Sequence, residues 1–434
     1  MQAERSDKMK VGICTLGCKV NTYESEYIEQ ELKKSGYKIA SFDDLCDVYI
    51  INTCTVTNQA DVKSRKMIHR FRKANPDACI VAMGCFIETN LENIDSDIDI
   101  AIGNRRKGEL VNLLDEFFTN RSKIVAKGND KSHFENMYLE NFEGRTRAFV
   151  KVQDGCENFC SYCIIPYARG KCCSKPLETV VSEVKTLLSR GYQEIVLTGI
   201  HTGNYGVDIN TNFATLLRNL VKLDGLKRLR ISSIEVTELT DEVLEIIREN
   251  ENIVNHFHIP LQAGSDKILK LMNRKYDLSY FEDKINKLRS IRKDVSITTD
   301  IIVGFPLEEE NDFIETINNA KKFNFSKIHV FPYSVRTGTK AASMKQIDGN
   351  IKKDRARRLL RVSNELAKAY QEKFIGKEVE VLIEKDNSDV SFGHTGNYLA
   401  VKVAGSHKQN TFVKAKVIAI DGTNCLAREE QCQR

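Results

Sequence analysis

The chain is predicted to be an α/β protein in three parts, and three observations carry that prediction. From Lys10 to about Phe118, short apolar runs alternate with amphipathic stretches of helical length, the pattern of a parallel sheet covered by helices. From Ala148 to about Val335 the same alternation starts again. Beyond Gly376 it gives way to short alternating strands separated by turns, which suits a small antiparallel barrel. At 434 residues the chain exceeds a single core and suits roughly two to four domains.

The first part, residues 9–120, reads as a parallel α/β sandwich. Its strands are expected at Val11–Leu16, Val48–Val56, Cys79–Met83 and Ile98–Ile102, with helices over Tyr23–Ser35, Val62–Ala74 and Gly108–Phe118. In such sheets ligands gather where strands end and loops begin. Cys18, Cys54 and Cys85 stand at those ends, in Thr-Leu-Gly-Cys, Asn-Thr-Cys and Met-Gly-Cys. Their separations of 36 and 31 residues are one strand-helix step each, so neighbouring loops bring the thiols to one sheet edge. That arrangement suits a three-thiolate metal site; the alternative is a small buried residue at each position. Cys14, Cys46 and Cys79, within or beside apolar runs, are assigned to the buried class.

Residues 121–145 are polar and irregular and read as a linker. The second part, residues 146–339, has expected strands at Phe149–Val152, Glu194–Thr198, Arg228–Ser232, His256–Leu261, Ile297–Val303 and Lys327–Phe331, with helices between them. Just after the first of these strands, Cys156, Cys160 and Cys163 form the pattern C-x3-C-x2-C in the stretch Asp154–Cys163. A 4Fe-4S cube has four corners, so three thiolates leave one iron open to a ligand other than protein. Thr198 and Gly199 after the second strand, Glu235 after the third, Gln262 after the fourth and Asp300 in the fifth are polar or small groups converging on one mouth, as a bound cofactor requires. Each alternatively serves as a hydrogen-bonded barrel residue, and His201, His256 and His258 are read as structural.

Net charge is +5, but its distribution is uneven. The segment 340–373 holds ten Lys/Arg against four Asp/Glu and reads as one long basic amphipathic helix carrying Arg355, Arg357, Arg358 and Arg361. Asp61–Asn75 holds a second concentration of six Lys/Arg. Two basic helices suit a polyanionic partner; a solvated face is the alternative for each. The third part, residues 374–434, has strands at Val379–Ile383, Tyr398–Val403 and Thr411–Ile420 and balances eight basic against eight acidic residues. No long apolar run and no leader is present, which points to a cytoplasmic protein without membrane contact. Thirteen cysteines in a reducing compartment favour metal over disulfides. Cys425 and Cys432 lie too late in the chain for either triad.

The spacing C-x3-C-x2-C resembles that of the radical S-adenosylmethionine (SAM) superfamily, and the six strand-helix steps match its partial (β/α)6 barrel. The terminal barrel resembles the RNA-binding TRAM domain. Together the three parts resemble the methylthiotransferase family over nearly the whole chain. Thr15–Glu26, Asn52–Asp61 and Leu197–Gly206 are similar to the bacterial branch acting on tRNA threonylcarbamoyladenosine. The isopentenyladenosine branch has Gln-Met where this chain has Lys19-Val20, and the ribosomal-protein branch has Pro-Lys. One departure is Cys172 and Cys173, which stand where the family usually has Arg or other polar residues; they are read as non-ligands.

The resemblance implies two 4Fe-4S clusters, one on Cys156, Cys160 and Cys163 and one on Cys18, Cys54 and Cys85, together with two SAM per turnover. It implies conversion of N6-threonylcarbamoyladenosine at position 37, in the tRNA anticodon stem-loop, to its 2-methylthio derivative. A radical from SAM removes the hydrogen on carbon 2, the cluster of the first part supplies sulfur, and a second SAM methylates it. An electron donor such as flavodoxin or ferredoxin is implied as a partner. Other readings are a methylthiotransferase for isopentenylated tRNA or a ribosomal protein, and a non-catalytic iron-sulfur RNA sensor.

Overall fold

The computed structural model describes residues 9–128, 133–142 and 144–429. Cys432 lies outside them. The first part is a six-stranded parallel sheet of β1 (Lys10–Thr15), β2 (Lys38–Ala40), β3 (Val48–Thr53), β4 (Cys79–Gly84), β5 (Ile100–Ile102) and β6 (Ile124–Ala126), in the order β2-β1-β3-β4-β5-β6. Side chains alternate faces along a strand, so each strand feeds two cores. Val48, Ile50, Val81 and Met83 pack under the helices Lys19–Lys34 and Leu110–Asn120. Tyr49, Ile51, Ile80 and Ala82 pack under the helix Asn58–Ala74, where the Tyr49 and Phe71 rings stack at 4.5 Å. Cys14, Cys46 and Cys79 are buried in these cores, as read.

The segment expected as a linker is partly built structure. Its Ile124–Ala126 is β6, and Met137, Leu139 and Phe142 are fully buried in the core of the second part. The polar residues around them hid this, because three apolar side chains spread over six positions give no period.

The second part opens with β7 (Arg147–Lys151), then a short antiparallel pair β8 (Gln153–Asp154) and β9 (Cys173–Ser174). It continues through β10 (Glu194–Thr198), β11 (Arg228–Ile231), β12 (His256–His258), β13 (Ser296–Val303) and β14 (Lys327–Pro332). These form two parallel ladders, β11-β10-β7 and β12-β13-β14, joined by a parallel bridge from Leu229 to Ile253. β7 and β14 do not pair, so the six strands form a barrel open on one side. The first part covers the opening at both edges. The helix Lys19–Lys34 lies against β7, with Tyr23 Oη donating to Glu183 at 2.7 Å. At the other edge Arg336, beyond β14, donates to Asp61 and Asn58 at 2.7 Å and to Thr55 at 2.6 Å.

The basic segment is interrupted: a short turn of helix at Lys340–Ser343 precedes the main helix, Gly349–Glu372. That helix is also the outer cover of β14, since the Ser363 hydroxyl bonds both the N–H and the C=O of Ile328. The third part is a closed barrel of β15 (Glu378–Asp386), β16 (Val390–Thr395), β17 (Ala400–Ala404), β18 (Phe412–Asp421) and β19 (Asn424–Arg428). It sits against the starts of β7 and β11, where Arg147 pairs with Glu384 at 3.1 Å and Arg228 bonds the carbonyl of Glu380 at 2.9 Å.

Candidate functional site

Cys18, Cys54 and Cys85 follow β1, β3 and β4, three adjacent strands, so the parallel register carries all three thiols to one sheet edge. Gly17 shows how close the loops run. Its φ is +104°, and a Cβ there would lie 2.7 Å from that of Cys54. Burial and the neighbouring thiols of Cys85 and Cys18 push the Cys54 thiol up to about 11. Cys85 Sγ accepts N–H bonds from Arg169 at 3.2 Å and from Asn104 at 3.6 Å. Such donors stabilise thiolate and tune an iron-sulfur cluster.

Cys156, Cys160 and Cys163 occupy the loop after β8, held closed by the β8–β9 pair. Gln153 donates to the carbonyls of Asp154 and Gly155 at 2.8 Å, and Gly155 lies so close to Lys171 that a Cβ would fall 2.0 Å from its carbonyl oxygen. Burial, together with Cys160 and Cys156, pushes the Cys163 thiol up to about 12. Arg274 donates to Cys160 Sγ at 3.3 Å. Among the described residues neither triad is compact enough to hold a single ion; the two groups that are compact enough are His258/Asp300/His329 and His69/Asp95/Asp97. Three thiols per group, with Arg169 and Asn104 donating to Cys85 and Arg274 to Cys160, are the donor chemistry of an iron-sulfur cluster.

The two triads are linked by one buried guanidinium. Arg169, fully buried at the end of the helix Ile165–Arg169, donates to Asp154 at 3.1 Å, to Glu24 at 2.9 Å and to Asn21 at 2.9 Å, besides Cys85. Lys107 pairs with Glu24, and Lys151 bridges Glu24 at 2.8 Å and Asp154 at 2.7 Å. Burial works against the Glu24 carboxylate, but Arg169, Lys107 and Lys151 outweigh it and hold its pKa well below the usual range. Asp154 is depressed in the same way by Arg169, Lys151 and Arg105. Asn21, Glu24 and Arg169 were not singled out from sequence. Two of them lie within six residues of Cys18 and the third six residues after Cys163, so proximity to the triads was the available signal.

Of the five cofactor candidates, Gly199 lies against Gln153, whose carbonyl and side-chain oxygens would each be 3.1 Å from an added Cβ, and Thr198 closes β10 beside it. Glu235 accepts from Arg274, the residue on Cys160. Gln262, at φ +68°, and Asp300 are joined by a backbone hydrogen bond of 2.8 Å. Asp300 also faces His258 at 3.3 Å. Thus Gly199 packs against the residue before the cluster loop, Glu235 reaches Cys160 through Arg274, and Gln262 and Asp300 lie together on neighbouring strands.

The basic helix does not present its four arginines alike. Arg355 is 4 % exposed and pairs with Glu308 at 2.7 Å, so it is a structural residue and is removed from the RNA contacts. Arg358 lies over the Phe313 ring and pairs with Glu310. Arg357 and Arg361 face solvent, Arg357 sharing Asp354. Helical period explains the division: Arg355, Leu359 and Val362 share the face that covers the barrel. Cys172 and Cys173 bond Asn204 and Arg105 and lie outside both triads.

Comparison with known proteins agrees with this architecture. Residues 150–320 match the radical SAM superfamily, and residues 10–103 match an uncharacterized protein family, UPF0004. A threonylcarbamoyladenosine tRNA methylthiotransferase of Bacillus subtilis is 43% identical, covering 94% of this chain and 93% of the relative. One from Aquifex aeolicus is 39% identical over 94% of this chain and all of its own length. A tRNA-2-methylthio-N(6)-dimethylallyladenosine synthase of Acetivibrio thermocellus is 35% identical over 88% and 82%. Among solved structures, a radical SAM methyltransferase of Kitasatospora setae with cobalamin and a [4Fe-4S] cluster superposes with a TM-score of 0.58 over 77% of each chain at 13% identity, a likeness of fold. The chain belongs to the threonylcarbamoyladenosine tRNA methylthiotransferase family of the radical SAM superfamily.

Proposed function

We propose that this protein converts N6-threonylcarbamoyladenosine beside the tRNA anticodon to its 2-methylthio derivative, with one 4Fe-4S cluster on Cys156, Cys160 and Cys163 and a second on Cys18, Cys54 and Cys85. The observation that carries this reading is Arg169, which touches Cys85 of one triad and Asp154, two residues before Cys156, at the base of the loop that carries the other. When bound, the two clusters and SAM supply radical cleavage of an aromatic C–H bond, the sulfur and the methyl group, chemistry beyond acid-base side chains.

The chain's own residues bind and orient. Gly199 and Gln153 shape a turn whose backbone meets SAM, and Glu235, through Arg274, fixes Cys160. Gln262 and Asp300 offer polar groups further in. The N-terminal part lies over the open side of the barrel and excludes water from the base between the two sites. An anticodon loop presents unstacked bases that such a mouth can receive. Arg357 and Arg361, with the terminal barrel, contact tRNA phosphates. A flavodoxin or ferredoxin supplies electrons, and the setting is the cytoplasm; no described helix is long and apolar enough to cross a membrane.

Mass spectrometry of tRNA nucleosides tests the reading. Cells lacking the protein lose 2-methylthio-N6-threonylcarbamoyladenosine and accumulate its unthiolated precursor. Persistence of the methylthio nucleoside overturns the assignment, and loss of the isopentenyl form instead moves it to the neighbouring branch.

A further inference from the structure

The loop that carries Cys156, Cys160 and Cys163 holds two aromatic residues placed in opposite ways. Tyr162 turns inward and meets the Phe305 ring edge-on at 6.4 Å. Phe159 turns outward: it is 52 % exposed, and its ring meets that of Tyr167, 53 % exposed, at 6.1 Å and 78°. Two large rings that touch each other yet leave half their surface in water are not core residues, and an exposed apolar pair beside a site marks a contact surface.

The backbone is built to hold this pair out. Phe159 sits at φ +46°, in the left-handed region that a bulky side chain rarely occupies. Such a conformation lasts only where neighbours enforce it. Asn273 does so, donating to the carbonyl of Phe159 at 2.9 Å and to that of Asn158 at 3.4 Å. Tyr167 is held from the other side. It belongs to the helix Ile165–Arg169, whose Ala168 carbonyl accepts from Asn104 at 2.9 Å and whose Arg169 donates to Cys85 at 3.2 Å. The rings thus belong to the cysteine loop and to the short helix that ties it to the other triad.

Cations border them. Lys275 is exposed and donates to Asn273 at 3.1 Å, and exposed Lys171 follows the short helix, its carbonyl against Gly155. The acidic side chain of the loop, Glu157, accepts from the N–H of Cys172 at 3.3 Å. Flat rings with cations at their border suit unstacked nucleic-acid bases, because every base offers a π-face and every phosphate a charge. An acidic electron carrier would match the charge as well. Electrons cross a protein wall, however, whereas a base must come into contact with the reacting group, so rings within the ligand loop itself favour the base.

We propose that Phe159 and Tyr167 form a stacking platform for an anticodon-loop nucleotide next to the modified adenosine, with Lys171 and Lys275 on its phosphates. This rests on the reading that a tRNA anticodon loop is the substrate. By stacking a neighbour, the platform holds the loop splayed and leaves the modified base free to enter the mouth.

The experiment uses the anaerobically reconstituted full chain as wild type, Phe159→Leu, Phe159→Tyr and Tyr167→Leu. Each is titrated with threonylcarbamoylated anticodon stem-loops carrying 2-aminopurine on one or the other side of the modified base, and iron per chain is counted. In the wild-type complex one of the two probes should be quenched by stacking, and at saturating protein both leucine variants should lose that quenching. Affinity should fall about tenfold in each leucine variant with iron unchanged, while Phe159→Tyr, which keeps the ring, keeps both signals. Full quenching and full affinity in Tyr167→Leu overturn the proposal. So does a loss of affinity that comes only with a loss of iron, since the rings are then props for the cysteine loop. Leucine variants that bind the stem-loops as the wild type does, but turn over slowly with a flavodoxin and normally with dithionite, overturn it too and give the surface to the electron donor. A wild type that binds neither stem-loop refutes the substrate reading itself, a result seen without any variant.

Discussion

Glu24 is the residue on which the contact between the two cysteine sites turns. It is 1 % exposed and faces Lys107, Lys151 and Arg169 at once. Removing one partner from a buried charge network leaves the others uncompensated, so Glu24→Gln is expected to cost about 3–5 kcal/mol of stability, read by denaturant unfolding. The pH dependence has a definite sign. Glu24 and Asp154 both have depressed pKa values in the folded state, so their contribution is complete above the ordinary carboxylate range near ~4 and is lost as pH falls below it. Stability should hold from neutrality to about pH 5 and fall beneath that, and Glu24→Gln should make the fall shallower. An unchanged acid limb in the variant would show that Glu24 is not part of the linkage.

The helix Gly349–Glu372 shows how one element divides its residues between fold and partner. Arg355 lies on the covered face with Glu308, whereas Arg357 and Arg361 lie on the open one. Arg355→Leu is expected to lower stability by about 3–5 kcal/mol while leaving the salt slope of tRNA binding intact. Replacing Arg357 and Arg361 together with Ala should weaken tRNA binding and reduce the slope of log K against log salt by about one for each phosphate left without its arginine, read by binding titrations across salt. The reverse pattern would return Arg355 to the RNA face. Composition alone made the segment look uniformly basic, because charge counting carries no information about which face a residue takes. The same limit applied to β16 and β19, which were not singled out as strands. Val390–Thr395 alternates in burial, but its inward residues are Ser391, Gly393 and Thr395, with Gly393 so close to the neighbouring strand that an added Cβ would fall 2.0 Å from the carbonyl of Leu382, so it carries no apolar alternation to read. β3 and β4 were legible because each is a largely apolar run buried on both faces.

At the scale of the whole molecule, both cysteine triads were legible because their spacings are local or repeat with the strand-helix step. Their relation to each other was not legible: Arg169 is 84 residues from Cys85 and 145 from Glu24 in sequence, and only the docking of the sheet on the open barrel brings them together. That docking gives the molecule its logic. The barrel opens on one side, the parallel sheet covers the opening, and the cysteine edge of the sheet meets the cysteine loop of the barrel. The terminal barrel closes the opposite end with Tyr398.

The most direct measurement separates the two sites in one protein. Anaerobically reconstituted full-length chain, with reductant, SAM and threonylcarbamoylated tRNA, is compared with a variant carrying Cys18, Cys54 and Cys85 as Ala and another carrying Cys156, Cys160 and Cys163 as Ala. Each variant should lose about half of the iron and sulfide, since each open site holds one cluster. The first should still release 5′-deoxyadenosine yet form no methylthio nucleoside, and the second should do neither. Full methylthiolation by the Cys18/Cys54/Cys85 variant, or loss of all iron from either variant, would contradict two independent sites with divided roles.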